Sequence, residues 1–132
     1  MAAAAVTLPT RTLLVVDDER VVRMVLRRYF ERLGWAVVDC ESAERALALL
    51  AESASPDLVI CDLNLPGLSG AALCGRITEL RPELASRLIL TSGDPAAAEA
   101  ELRDASLECP MLGKPFTLAD IDRILGAIGC VA

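Results

Sequence analysis

Asp17, Asp18, Asp62, Thr91 and Lys114 are polar residues set at the ends of short apolar runs. Asp17 and Asp18 follow Leu13–Val16, Asp62 follows Leu58–Cys61, Thr91 closes Leu88–Thr91, and Lys114 comes just after Met111–Leu112. Adjacent carboxylates repel one another and raise each other's pKa values, so three aspartates brought together require a cation. Oxygen donors with no histidine in the chain favour a hard ion such as Mg²⁺. Mg²⁺ keeps several waters and takes one or two carboxylates plus a phosphate oxygen. An aspartate beside such an ion can attack phosphorus and become an aspartyl phosphate. A hydroxyl and an ammonium can then hold the phosphoryl oxygens that the metal leaves free. Asp17 and Asp18 are thus expected to hold the metal, with Asp62 completing its site. Thr91 and Lys114, the only lysine in the sequence, are the hydroxyl and the ammonium. The loop Leu63-Asn64-Leu65-Pro66-Gly67-Leu68-Ser69-Gly70 can add a backbone carbonyl to the metal, with Pro66-Gly67 as a turn and Gly70 permitting a tight backbone.

Each residue alone has a plainer reading. Asp17 can cap a helix, Asp62 can be a loop acid, Thr91 can begin a turn, and Lys114-Pro115 can be an ordinary connection. Whether they converge depends on the elements that carry them. Short apolar runs at Leu13–Val16, Trp35–Cys40, Leu58–Cys61, Leu88–Thr91 and Met111–Leu112 alternate with segments of helical spacing. Val22, Val25, Leu26, Tyr29 and Leu33 share one helical face before Gly34. Ser42 caps a helix over Ala43–Glu52, and a third helix spans about Ala71–Leu80, ending before Pro82. Asp94-Pro95 opens an alanine-rich helix, and Thr117 to Asp120 makes a capping box for a last helix to about Ile128.

Five strands alternating with five helices predict an α/β protein with a doubly wound parallel sheet. In such a sheet ligands bind beyond the C-terminal strand ends. Four of the five strand ends carry the polar residues above. That convergence outweighs the separate readings.

Composition narrows the function. The chain has 132 residues, 54% of them hydrophobic, enough for one domain with a real core. Its net charge of −6, with no basic block, argues against direct nucleic-acid binding. The absence of histidine excludes a phosphohistidine carried by this chain. No apolar run is long enough to span a membrane, and MAAAAVTLPT has neither a basic n-region nor a long apolar core. Cys40, Cys61, Cys74, Cys109 and Cys130 form no C-x-x-C pair, so they read as reduced, mostly buried thiols of a cytoplasmic protein, with a redox role the less favoured reading.

Val16-Asp17-Asp18-Glu19, Asp62-x-Asn64-x-Pro66-x-x-x-Gly70, Thr91-Ser92-Gly93 and Lys114-Pro115-Phe116, in this order, resemble the receiver domain of two-component response regulators, over Thr12 to about Ile128. The resemblance implies a flavodoxin-like receiver fold with strand order 2-1-3-4-5. It makes Asp62 the phosphoacceptor, taking a phosphoryl group from a histidine kinase or histidine phosphotransfer protein. Mg²⁺ would be held by Asp17, Asp18, Asp62 and the main-chain carbonyl of Asn64. Thr91 and Lys114 would hold the phosphoryl group, and Lys114-Pro115 would be a cis peptide. A downstream protein target would read the face made by the fourth helix, fifth strand and fifth helix.

Departures from the family's pattern cluster on that output face: Met111 stands where an aromatic is usual, Leu107-Glu108 replaces Gly-Ala, and the fourth helix has little apolar surface. The expected organisation is a flexible arm over 1–11, a receiver domain over 12–129 and no effector domain. Such a chain catalyses only its own phosphorylation and dephosphorylation. The alternatives are a receiver module cut from a hybrid histidine kinase and a phosphohydrolase with an aspartate nucleophile. The latter wants a second acid where this chain has Asn64. A phosphate-independent adaptor would be expected to lose part of the acidic cluster, and a flavin-binding protein would need a Ser/Thr-rich loop after the first strand.

Overall fold

The structure is a computed structural model that describes residues 10–52 and 55–129. Residues 1–9 of the expected arm, and Cys130, lie outside the described residues. The strands are β1 (Thr12–Val16), β2 (Ala36–Cys40), β3 (Leu58–Asp62), β4 (Leu88–Ser92) and β5 (Met111–Gly113). The helices are α1 (Arg20–Arg32), α2 (Ala43–Glu52), α3 (Gly70–Leu80), α4 (Pro95–Asp104) and α5 (Leu118–Ala127). All strand pairs are parallel, in the order β2-β1-β3-β4-β5. The expected fold class and strand order are therefore observed.

Alternation along the strands divides the core into two layers. Leu13, Val15, Leu58, Ile60 and Ile89 face α1 and α5, where they meet Leu26, Phe30, Ile121 and Leu125. Leu14, Val16, Val59, Cys61 and Leu90 face the other side, against Leu50, Leu73, Ile77 and Leu102 of α2, α3 and α4. Each such buried side chain stabilises the fold by about 1.5–3 kcal/mol relative to exposure. β3 and β4 are buried along their whole length, as central strands covered on both faces must be.

The caps follow the sequence closely. The Asp94 carboxylate accepts from Ala97 N at 3.3 Å, and Ser42 Oγ accepts from Arg45 N at 3.1 Å. Thr117 and Asp120 form the reciprocal capping box. Several boundaries differ from expectation. α3 starts at Gly70 because Ser69, not Gly70, turns the chain and accepts from Ala72 N. β2 starts at Ala36, one residue late, because Trp35 N donates to Phe30 O to close α1. The Trp35 ring then packs edge-on against Phe30, centroids 5.3 Å apart. A short 3-10 turn over Pro82–Ser86, which places Leu84 in the core, was not foreseen. Val25, expected on the buried face of α1, is 44% exposed along with Val21 and Met24, while Phe30 takes the core position. α1 carries more apolar residues than one face can bury.

Gly70 is needed for space. A Cβ there would lie 2.6 Å from Leu63 Cα, where the chain leaving β3 folds back on itself and Gly70 N donates to Leu63 O at 3.1 Å. Gly75, in the middle of the same helix, has open space: a methyl group added there would meet nothing within 4 Å. Gly70→Ala is expected to lower unfolding stability by about 1–3 kcal/mol through overpacking. Gly75→Ala is expected to raise it by about 0.5–1 kcal/mol through helix propensity. Urea denaturation of both variants checks the pair of opposite signs.

Candidate functional site

Strand register brings the polar residues together. Val16 pairs with Cys61, so Asp17 emerges beside Asp62. Asp62 pairs with Thr91, and Ser92 with Gly113. Lys114 follows one residue on, its amide donating to Ser92 O at 2.7 Å. The Lys114–Pro115 peptide is cis, as the family resemblance implied. Residues nearly a hundred positions apart in sequence thus share one edge.

Lys114 is the hub. Its ammonium lies 3.0 Å from Asp17 Oδ2, 3.2 Å from Asp62 Oδ2 and 2.8 Å from Glu19 Oε1. Burial alone would lower its pKa, but hydrogen bonds to Glu19 and Asp17 and the charges of Asp17 and Asp62 push it up overall. Folding thus favours the charged form, and this contribution is complete below the ordinary lysine value and lost only as pH rises through the raised one. Lys114 stays cationic across the neutral range.

Asp17 is only 2% exposed. Burial raises its pKa, against the lowering effects of the Glu19 amide and Lys114, while the charge of Asp62 adds to the rise. Its Oδ1 accepts from Glu19 N at 2.8 Å, so Asp17 makes a local turn and is not the helix cap. Glu19 holds the N-cap position of α1 but makes no side-chain cap bond, because its carboxylate reaches Lys114. Asp62 Oδ1 accepts from Asn64 N at 3.0 Å, which ties the following loop to the site. Asp18 and Asn64 are exposed at the rim.

Carboxylate oxygens of Asp17, Asp18, Glu19 and Asp62 all lie within 4.8 Å of one another. Four carboxylates with one ammonium among them leave the edge short of positive charge, and an all-oxygen donor set of this kind fits a hard divalent cation. Thr91 Oγ1 is buried at the same edge, with no hydrogen-bond partner among the described residues. A buried hydroxyl without a partner costs about 1–3 kcal/mol, so this group is free to donate to a ligand that enters. All the residues expected at the site from sequence are at this edge. Glu19 was missed as a member, although it stands next to the aspartate pair, because its link to Lys114 is tertiary.

An acidic edge with a lysine and a buried hydroxyl thus lies at the C-terminal ends of a flavodoxin-like parallel sheet of order 2-1-3-4-5. Residues 13–125 match the sequence pattern of the response regulator receiver domain, and the chain belongs to that family. It is 35% identical over 114 residues to the response regulator MprA of Mycolicibacterium vanbaalenii, covering 86% of this chain and 48% of that protein. The chain therefore spans about half the length of that curated relative. It is 43% identical over 81 residues to the virulence sensor protein BvgS of Bordetella pertussis, 58% of this chain and 6% of that protein. The response regulator TrrA of Thermotoga maritima, solved in complex with Mg²⁺–BeF, is similar in structure with a TM-score of 0.76 and 25% identity, covering 90% of this chain and 99% of that one. Among the described residues, no helix is long and apolar enough to cross a membrane.

The raised pKa of Asp17 has a definite consequence for stability. The stability it contributes is complete below the ordinary aspartate value and is lost as pH rises through the raised one, so the ionised group costs stability at neutral pH. Asp17→Asn keeps an oxygen for the Glu19 amide and carries no charge. Without divalent ions, the variant is expected to gain stability relative to the wild type at pH 7, and to gain less as pH falls towards 4. Urea midpoints at several pH values measure this.

Proposed function

We propose that the protein is the phosphoacceptor of a two-component or phosphorelay system. A phosphoryl group would pass from a phosphohistidine on a histidine kinase or histidine phosphotransfer protein to Asp62. The observation that carries the reading is the Lys114 ammonium held against Asp62 and Asp17, beside a buried Thr91 hydroxyl with no partner among the described residues. An Asp62 carboxylate oxygen would form the new bond to phosphorus as the donor's phosphorus–nitrogen bond breaks, leaving the electron pair on the imidazole. Lys114 would pair with one phosphoryl oxygen as a compact point charge, and Thr91 Oγ1 would donate to another. Asp17, Asp18 and Asp62, with the main-chain carbonyl of Asn64, would hold Mg²⁺. The bound ion would offset the crowded negative charge and attract the phosphoryl oxygens. TrrA, with its Mg²⁺–BeF complex, is a precedent for such a ligand in a similar fold. Hydrolysis of the aspartyl phosphate would be the only other reaction, and the protein would work in the cytoplasm, where thiols stay reduced.

Exposed Val21, Met24 and Val25 near the start of α1 adjoin Glu19, and supply apolar surface for the phosphodonor partner to cover. The downstream target would read the α4–β5–α5 face. The similarity to a segment of BvgS favours a second reading, a receiver module of a longer hybrid kinase, in which the chemistry at Asp62 is the same.

The test is incubation with Mg²⁺ and acetyl phosphate, followed by intact-mass analysis and peptide mapping. One phosphoryl group is expected on Asp62, not formed when Mg²⁺ is chelated beforehand and absent in Asp62→Asn. Stoichiometric labelling of that variant would sink the assignment.

Met111 bears on the output. It sits opposite Leu90, half-buried against the α2–α3–α4 core, where the family usually has an aromatic ring. Methionine repacks in many ways and specifies one position weakly. A switch from 1:99 to 99:1 needs roughly 5.5 kcal/mol of differential stabilisation, and a methionine rotamer supplies little of it. Beryllofluoride is therefore expected to shift amide resonances strongly near Asp62 and Thr91 and only modestly over α4, β5 and α5. Large shifts throughout that face would show a strong switch without the ring.

A further inference from the structure

Of the three carboxylates on the Lys114 ammonium, Asp62 and Asp17 have roles in the phosphoryl chemistry proposed above, and Glu19 has none. Glu19 nonetheless makes the shortest contact, 2.8 Å, against 3.0 Å for Asp17 and 3.2 Å for Asp62. It is also the loosest partner: its side chain is 59% exposed, against 2% for Asp17 and 5% for Asp62. An exposed ion pair is weak and screened by salt. Asp17 and Asp62 are buried, and each is pinned by a backbone amide, that of Glu19 at 2.8 Å and that of Asn64 at 3.0 Å.

Glu19 has another place to go. It holds the N-cap position of α1 without making a side-chain cap bond. The first amides of a helix have no partner inside it, and a carboxylate is favoured at that positive end. Glu19 also borders an open cavity of about 450 Å³, walled by Val21, Gly93, Lys114 and Phe116 among others. Its side chain can leave Lys114 without displacing a packed group.

A lysine ammonium has three N–H donors, and here three carboxylates surround it. An incoming phosphoryl oxygen needs one of those donors before Asp62 has given up its charge, so one acceptor must leave. We propose that Glu19 is that acceptor: a latch that occupies Lys114 in the unphosphorylated protein and gives up the ammonium when a phosphoryl group arrives. Glu19 is a positioning residue, acting on the phosphoryl group only through Lys114. The inference rests on Asp62 as the phosphoacceptor and adds a regulating contact to that site. An exposed pair of this kind slows phosphorylation by roughly two- to fivefold.

The experiment measures the rate of phosphorylation of the full chain by acetyl phosphate, at saturating Mg²⁺, from intact masses of quenched samples. Glu19→Asp keeps the charge, is one methylene shorter than the contact with Lys114 requires, and supplies a better N-cap. It is expected to be phosphorylated roughly two- to fivefold faster than the wild type, by an advantage that shrinks at high salt, with Mg²⁺ affinity unchanged. Glu19→Gln, which loses the charge, is expected to be faster as well. If only the glutamine variant were faster, the effect would be one of charge and not of contact, and the latch would be overturned. Slower phosphorylation with weaker Mg²⁺ binding in both variants would make Glu19 a metal ligand instead. A second reading needs no phosphoryl group. Lys114 is the only lysine, so ¹⁵N-lysine labelling gives one side-chain ammonium signal. That signal is expected to move in Glu19→Asp without any phosphodonor, and an unmoved signal would overturn the proposal. A wild type that takes up no phosphoryl group while this signal still answers to Glu19 would overturn the assignment of Asp62, and the latch's role with it, but not the contact.

Discussion

Everything at the functional edge depends on one charge imbalance. Asp17, Asp18, Glu19 and Asp62 crowd their carboxylates together, and Lys114 is the ammonium that holds three of them. Breaking a buried ion pair by removing one partner typically costs about 3–5 kcal/mol, because the other charge is left stranded. Lys114 is therefore first of all a structural counter-ion. Its placement requires β5 to follow β4 in register, and the chain to turn at once into α5. The same register sets Thr91 opposite Asp62. The sheet is in effect a frame that fixes the spacing of charges which would otherwise drive one another apart.

The rest of the fold supports that frame without entering the chemistry. Phe30, Leu26 and Ile121 pack α1 and α5 under one side of the sheet, and Leu73 and Ile77 hold α3 against the other. Gly70 lets the loop after Asp62 return close enough to Leu63 for its own amide to bond Leu63 O. Tyr29 links the outer ends of the first layer through its hydroxyl bond to Asp122, joining α1 to α5. Burial and that bond push the tyrosine up to about 12, so the link persists at any ordinary pH.

Much of this was readable in the sequence, for a physical reason. Strand ends follow from where apolar runs stop, and a doubly wound sheet puts all C-terminal ends on one edge. Asp17, Asp62, Thr91 and Lys114 could therefore be gathered without coordinates. The caps at Asp94 and Thr117 were readable because capping is local. What escaped was tertiary. Glu19 stood in the sequence only as the neighbour of the aspartate pair, and nothing local says that its carboxylate crosses to Lys114. Val25 was assigned to the core because periodicity cannot say how wide a face its neighbours will cover.

The most direct test of the charge imbalance is the thermal midpoint of the wild type as Mg²⁺ is raised, compared with Asp18→Asn. A ligand that binds only the folded state stabilises it by mass action. Asp18 is exposed and outside the grip of Lys114, so its carboxylate is open to an incoming ion. The predicted result is a wild-type midpoint that climbs steadily with Mg²⁺ at constant ionic strength, and a much flatter response in the variant. A wild-type midpoint that stays constant through millimolar Mg²⁺ would contradict it, and would mean that Lys114 alone satisfies the edge.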